Sequence, residues 1–274
     1  MVGPTRRKIW WSEEAKNYWQ DKFINVEQML HDLELLSVRE GKRAVCTRHI
    51  NPSRLPERQG ELIDQGLTFL PLKRVGNYSG FAHGHPQPKA GDWNYYGVIG
   101  RNKSDCRKFQ EASSEGDHDA IGKLLGFPKE AREFFQENFS MKDSPDPIYD
   151  IEREDGEVVR PSYLTNIGLR YFGFRLITFF PSSWKSDKAK EFGKMFVELA
   201  KDHLNGKTLD DMKKVLKMPY ILSSLHGVIQ AWTPLFQGIA NTGYRANEER
   251  IIVIPQDMEL PKYSKVPRDL REYI

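Results

Sequence analysis

The chain has 274 residues, 39% of them hydrophobic and 12% aromatic, enough for one large domain or two small ones with a packed core. Charged residues make up 29% and the net charge is only +3, which argues against global disorder and against a strongly basic nucleic-acid footprint. Cys46 and Cys106 lie outside any Cys-x-x-Cys pair, the apolar run after the basic N-terminus is too short for a signal peptide, and no stretch has the roughly eighteen apolar residues of a membrane span. The expectation is a soluble protein of a reducing cytoplasm, with no membrane partner.

In chain order, Ser12 ahead of Glu13 and Glu14 predicts a capped helix start. Ala15, Tyr18, Trp19, Phe23, Val26, Leu30 and Leu33 then recur every three or four residues as a core-facing stripe. Asn25 with Gln28 offers a restart within that helix, and Gly41 an end. Arg43 to His49 reads as a short strand, 51–65 as a proline-broken segment, and Leu67 to Leu72 and Trp93 to Gly100 as further strands. Ser104 and Asp117 are candidate caps for helices at about 105–114 and 118–125, closed by Gly126. Pro128 suits the first position of a third helix, 128–139, with Ala131, Phe134 and Phe135 on its apolar face. Asp155-Gly156 inside IYDIEREDGEVVR is a hairpin signal. FGFRLITFF, 172–180, reads as a strand buried on both faces and central to a sheet. Ala189, Phe192, Phe196 and Ala200 form a helical stripe ending near Gly206, Thr208 and Asp211 have cap spacing, and 219–232 and 250–255 supply strands. The class is α+β: a single mixed sheet, a helical middle segment and an N-terminal helical extension. The organisation expected is a helical segment at 1–42 and one α+β domain at 43–274, its core at 98–236.

His83-Gly84-His85 stands in a Gly- and Pro-rich loop before Trp93, Tyr95 and Tyr96. On a strand both imidazoles would face one side and suit one metal, but Gly84 and Pro86 oppose a regular strand and no third ligand follows. A metal pair, a set of acid–base groups and an ordered surface loop therefore all stand. The reading favoured is a pocket shared with His118, without metal, walled by Trp93 and Tyr96. Asp117 is most simply an N-cap, and His118 follows in the first turn, as a base or donor or as a structural residue. His226 sits among apolar residues, as core or as site. Arg175 is either a clamp for a carboxylate or phosphate or a salt-bridge partner of the acidic residues near 152–157. Ser182 and Ser183 after Pro181 offer backbone N–H groups to an anion. There is no G-x-S-x-G elbow, Walker loop or dinucleotide fingerprint, and no cofactor is indicated.

Three segments resemble an uncharacterised prokaryotic family, a domain of unknown function. HDAIGKLLGFPKEAREFF at 118–135 is similar to a pattern His-x-x-Ile-Gly-x-Leu-Leu-Gly-Tyr-Pro-x-Cys-Cys-x-x-Phe-Phe. RLITFFPSSWKS at 175–186 is similar to Arg-Leu-Ile-Ser-His-Phe-Pro-Cys-x-x-x-Cys, and LHGVIQAWTPLF at 225–236 to a Leu-His-Gly segment followed by a Thr-Pro turn. The resemblance covers about residues 98 to 236. This chain departs from it at the thiols: Glu130 and Ala131 stand at the cysteine pair, Ser182 and Ser186 at the later cysteines, and Phe179 at the histidine. The resemblance implies a fold and a pocket location, without a thiolate metal site, because serine does not replace thiolate toward zinc or iron–sulfur clusters.

The expected function is a cytoplasmic transferase or hydrolase acting on a small polar, anionic substrate by histidine acid–base catalysis. His83, His85, His118 and His226 are the catalytic candidates; Arg175, Ser182, Ser183, Trp93 and Tyr96 are the substrate-binding ones. One alternative is a non-catalytic binding or interaction protein that kept the fold of the cysteine-containing family. Another is a nucleic-acid-modification accessory protein using Arg6, Arg7, Lys8, Trp10 and Trp11.

Overall fold

The structure, a computed structural model, describes residues 7–76, 87–139, 147–153, 156–203, 206–225, 228–241 and 250–274. In chain order the elements are β1 (Arg7–Trp10), α1 (Glu13–Arg39), β2 (Val45–Ile50), α2 (Leu55–Asp64), β3 (Thr68–Gly76), β4 (Trp93–Gly100), α3 (Lys103–Glu115), α4 (His118–Leu124) and α5 (Lys129–Asn138). There follow β5 (Val158–Val159), α6 (Asp187–His203), α7 (Gly206–Leu216), β6 (Tyr220–Leu225), β7 (Val228–Trp232), β8 (Phe236–Asn241), β9 (Arg250–Val253) and α8 (Arg268–Arg271). The class is α+β, as the sequence predicts. The mixed sheet has six strands in the order β1-β8-β7-β6-β9-β5, antiparallel except for the β5–β9 pair. A separate antiparallel sheet, β2-β4-β3, stands beside it, which the sequence reading does not separate.

Period-two alternation decides what each strand faces. In the large sheet Leu222, Ala231, Ile251 and Val253 join the main core, while Ile221, Ile252 and Ile254 point to the opposite face and pack with Leu270 of α8. In the small sheet Cys46, Phe69 and Ile99 meet Val38 of α1 and Leu62 of α2, while Val45 and Val98 meet Cys106 and Phe109 of α3. The α1 stripe lies where the periodicity puts it: Ala15, Trp19, Phe23, Val26, Leu30 and Leu33 are buried, and Tyr18 alone of the set is 38% exposed. Each buried large side chain stabilises by roughly 1.5–3 kcal/mol, so this helix is held by its packed face. Ser12 caps it by accepting from the Ala15 N–H at 3.1 Å. The helix runs through Asn25 without a break, and Gln28 bonds Asp32 at 2.9 Å instead of restarting it.

Three expectations are corrected. Residues 172–180 do not form a strand: a 3-10 helix, Ile167–Phe172, ends at Gly173 with φ 95°, and the chain then runs irregularly. Phe172, Phe174, Leu176, Ile177, Phe179 and Phe180 are nonetheless buried. An unbroken apolar run reports burial on all sides and carries no period that distinguishes a strand. The hairpin expected at 148–160 is absent among the described residues; Val158 and Val159 pair parallel with Ile252 and Val253 instead. Residues 55–64 form α2, because Pro56 falls in the first turn, where its missing N–H costs nothing.

Candidate anion-binding site

Asp117 caps α4 by accepting the Ala120 N–H at 2.9 Å, which sets His118 at the first helical position. The turn through Gly126, at φ 74°, then reverses the chain so that α5 returns beside α4. Between these two helices and residues 170–180 lies a cavity of about 160 Å³. Its polar lining is His118, Arg132, Arg170 and Thr178. Its apolar lining includes Ile121, Phe127, Ala131, Phe135, Phe179 and Phe180. A cavity of this size takes a molecule on the order of six to ten non-hydrogen atoms, since about 150 Å³ suffices for benzene.

The cationic groups are held from behind. Arg132 Nη1 donates to Asp119 Oδ1, and Asp119 also takes Lys123 Nζ at 2.5 Å. The Lys123 hydrogen bond, aided by Arg132, keeps the Asp119 carboxyl below its ordinary range. The Arg132 stem crosses α4 at Gly122, where a Cβ would stand 2.6 Å from Arg132 Cδ. Arg170 lies over the Phe180 ring at 4.3 Å. His118 packs edge-on against Phe135 at 5.4 Å, and Phe127 against Phe179 at 5.1 Å. Two polar atoms of lining residues, Arg132 Nε and Thr178 Oγ1, are buried without a hydrogen-bond partner. Buried donors and hydroxyls are nearly always satisfied, so both call for an acceptor that the described residues do not supply.

Of the sequence candidates among the described residues, His118 lines this cavity and Arg175, Ser182, Ser183, Trp93 and Tyr96 do not. His83, His85 and His226 lie outside the described residues. Arg175 is not part of the lining; it pairs with Glu34 of α1 at 3.9 Å. Ser183 Oγ accepts the Lys185 N–H at 3.2 Å within its own turn, and Ser182 O accepts the Glu152 N–H at 2.9 Å, which ties that turn to the segment at 152. Trp93 and Tyr96 belong to β4 and face opposite sides of the small sheet. Trp93 stacks under Arg74 at 4.6 Å, and Tyr96 meets His49 at 5.2 Å. Trp10 and Trp11 are engaged in packing: Trp10 stacks on Phe23 at 5.5 Å, and Trp11 Nε1 donates to Thr233 O at 2.7 Å.

Sequence reasoning missed Arg132 and Arg170. Arg170 is a single charge inside the apolar run IGLRYF, the same signal that singles out Arg175. Arg132 stands between Ala131 and Phe135 on the helix face that lines the cavity.

The first two segments of the resemblance meet here. Residues 118–135 supply α4, α5 and His118, and residues 175–186 supply Thr178, Phe179 and Phe180. Where the resemblance has cysteines, Ala131 lines the cavity and Glu130 accepts a hydrogen bond from the Ser186 hydroxyl. Both cysteines of this chain are buried elsewhere; burial pushes the Cys106 thiol up to about 11 and raises that of Cys46. Among the described residues, no group of three or more His, Cys, Asp or Glu side chains is placed to hold a metal ion. Comparison with protein-family models, with curated proteins and with solved structures finds no match.

Proposed function

We propose that the cavity binds a small anion with a flat apolar body, a carboxylate or phosphate ester, and that His118 moves a proton to or from it. The observation that carries this is the pair of unsatisfied polar atoms, Arg132 Nε and Thr178 Oγ1, on the lining of a mostly aromatic cavity. Arg132 and Arg170 supply guanidinium forks that match an oxyanion, and the phenyl faces exclude water around the rest of the ligand. His118 is the acid–base group within the lining, so the reaction class is proton transfer in a transferase or hydrolase of the cytoplasm. Two cysteines that form no disulfide agree with a reducing compartment.

The second reading is a binding protein without catalysis. It is supported by Glu130, Ala131, Ser182 and Ser186, which stand where the resemblance implies cysteines, and by the burial of Cys46 and Cys106. Calorimetric titration with benzoate tests the shared part of both readings: one equivalent should bind, and Ala131→Phe, which fills the cavity, should abolish it. Binding that survives Ala131→Phe puts the ligand elsewhere. If the bound ligand is turned over and His118→Gln removes turnover while leaving benzoate affinity within about threefold, the enzyme reading holds. Binding without any turnover leaves the second.

A further inference from the structure

We propose that Arg43, beside Arg48 and the Glu34 carboxylate that Arg175 also pairs with, forms an internal site for a small oxyanion, separate from the cavity at His118. Arg43 is 4% exposed, yet its Nε and Nη1 have no hydrogen-bond partner among the described residues. It follows the end of α1 directly: its backbone N–H donates to Ser37 O at 3.1 Å, and its stem lies against Gly126, where a Cβ would meet Arg43 Cγ at 3.2 Å. The guanidinium carbon is 6.0 Å from the Phe127 ring. A ring face attracts the charge but does not satisfy several N–H donors.

The neighbouring charged groups are engaged with one another. Arg48 is satisfied: Nη1 donates to Glu34 Oε2 and to Thr47 O at 3.0 Å, and Nη2 donates to His31 O. Arg175 pairs with the other Glu34 oxygen. Glu34 is thus shared by Arg48 and Arg175, and it gives Arg43 no hydrogen bond. Asp32, which also acts on Arg48, is exposed and hydrogen-bonded to Gln28. Arg43, Arg48 and Arg175 all act on the Glu34 carboxylate, and the buried Nε and Nη1 of Arg43 are left without an acceptor among the described residues. Leaving such donors unpaired is costly. An oxyanion supplies the acceptors, and a forked guanidinium is the group that grips carboxylate or phosphate in two places.

The test is thermal unfolding of the full chain in rising inorganic phosphate, and separately in rising acetate, at constant ionic strength set with sodium chloride. The expected result is a rise of about 5 °C at saturation with one of the two anions, lost in Arg43→Met. Which anion acts tells phosphate from carboxylate. If Arg43→Met does not fold, Arg43→Lys keeps the charge without the fork, and its midpoint concentration should be at least tenfold higher. A wild-type midpoint that responds to neither anion overturns the proposal. So does a response that persists unchanged in Arg43→Met or Arg43→Lys, which would assign the anion to Arg132 and Arg170 instead.

Discussion

The Glu130 carboxylate accepts a hydrogen bond from the Ser186 hydroxyl, and that contact ties the first turn of α5 to the start of α6. The same Ser186 oxygen accepts the Ala189 N–H at 3.0 Å, so it also serves as the N-terminal cap of α6. Ser186→Ala is expected to lose both and to destabilise by about 1–2 kcal/mol. Ser186→Thr, which retains the oxygen, should recover most of that in urea denaturation. An Ala variant as stable as wild type would show that neither bond matters.

Glu34 links acid stability to the arginine cluster. Burial alone would raise its carboxyl, but Arg48, Arg175 and Arg43 override burial and hold it at about 2, against an ordinary 4.5. The folded chain therefore releases this proton more readily than the unfolded chain. The stability gained is complete above about pH 4.5 and is lost as pH falls toward 2. It amounts to at most about 3 kcal/mol. Glu34→Gln should be destabilised by about 3–5 kcal/mol at pH 7, and its stability should change less between pH 5 and pH 2 than that of wild type. Parallel pH profiles for the two proteins would contradict this.

Tyr220 Oη donates to Asn166 Oδ1 at 2.6 Å, and Asn166 Nδ2 donates to Leu216 O at 2.7 Å, all buried. This relay joins β6, the end of α7 and the segment leading to Arg170. Tyr220→Phe leaves the Asn166 oxygen without its donor and should cost about 1–3 kcal/mol in chemical denaturation. No measurable change would mean that the carbonyl finds another donor.

Cys46 and Cys106 are buried, and burial raises both thiols. The folded protein at pH 7 should react with neither equivalent of a thiol reagent over a time in which the urea-unfolded protein reacts with two. Rapid labelling of a folded thiol would show that one of the two is accessible and ionised.

The sequence was most legible where one local rule governs the outcome. The α1 stripe, the Asp117 cap and Gly126 each follow from a period or a turn geometry, and the structure has all three. It was least legible where tertiary packing decides. The 172–180 run is buried from every side, so its composition is uniform and hides the irregular path that Gly173 starts. Asp155-Gly156 has turn chemistry, but β5 finds its partner in β9, some ninety residues later in sequence, and a local signal cannot report that. In the candidate site His118 could be picked out because a capped helix places it. Arg132 and Arg170 could not, since what makes them site residues is a cavity shared by distant segments.

The most direct measurement is the affinity for benzoate relative to benzamide, its neutral counterpart, in wild type and in Arg132→Met. The expected result is at least a tenfold preference for benzoate in wild type, reduced to near parity in the variant while benzamide affinity changes little. Equal affinity for the two in wild type, or a preference that survives in Arg132→Met, would contradict an anion site built on that arginine.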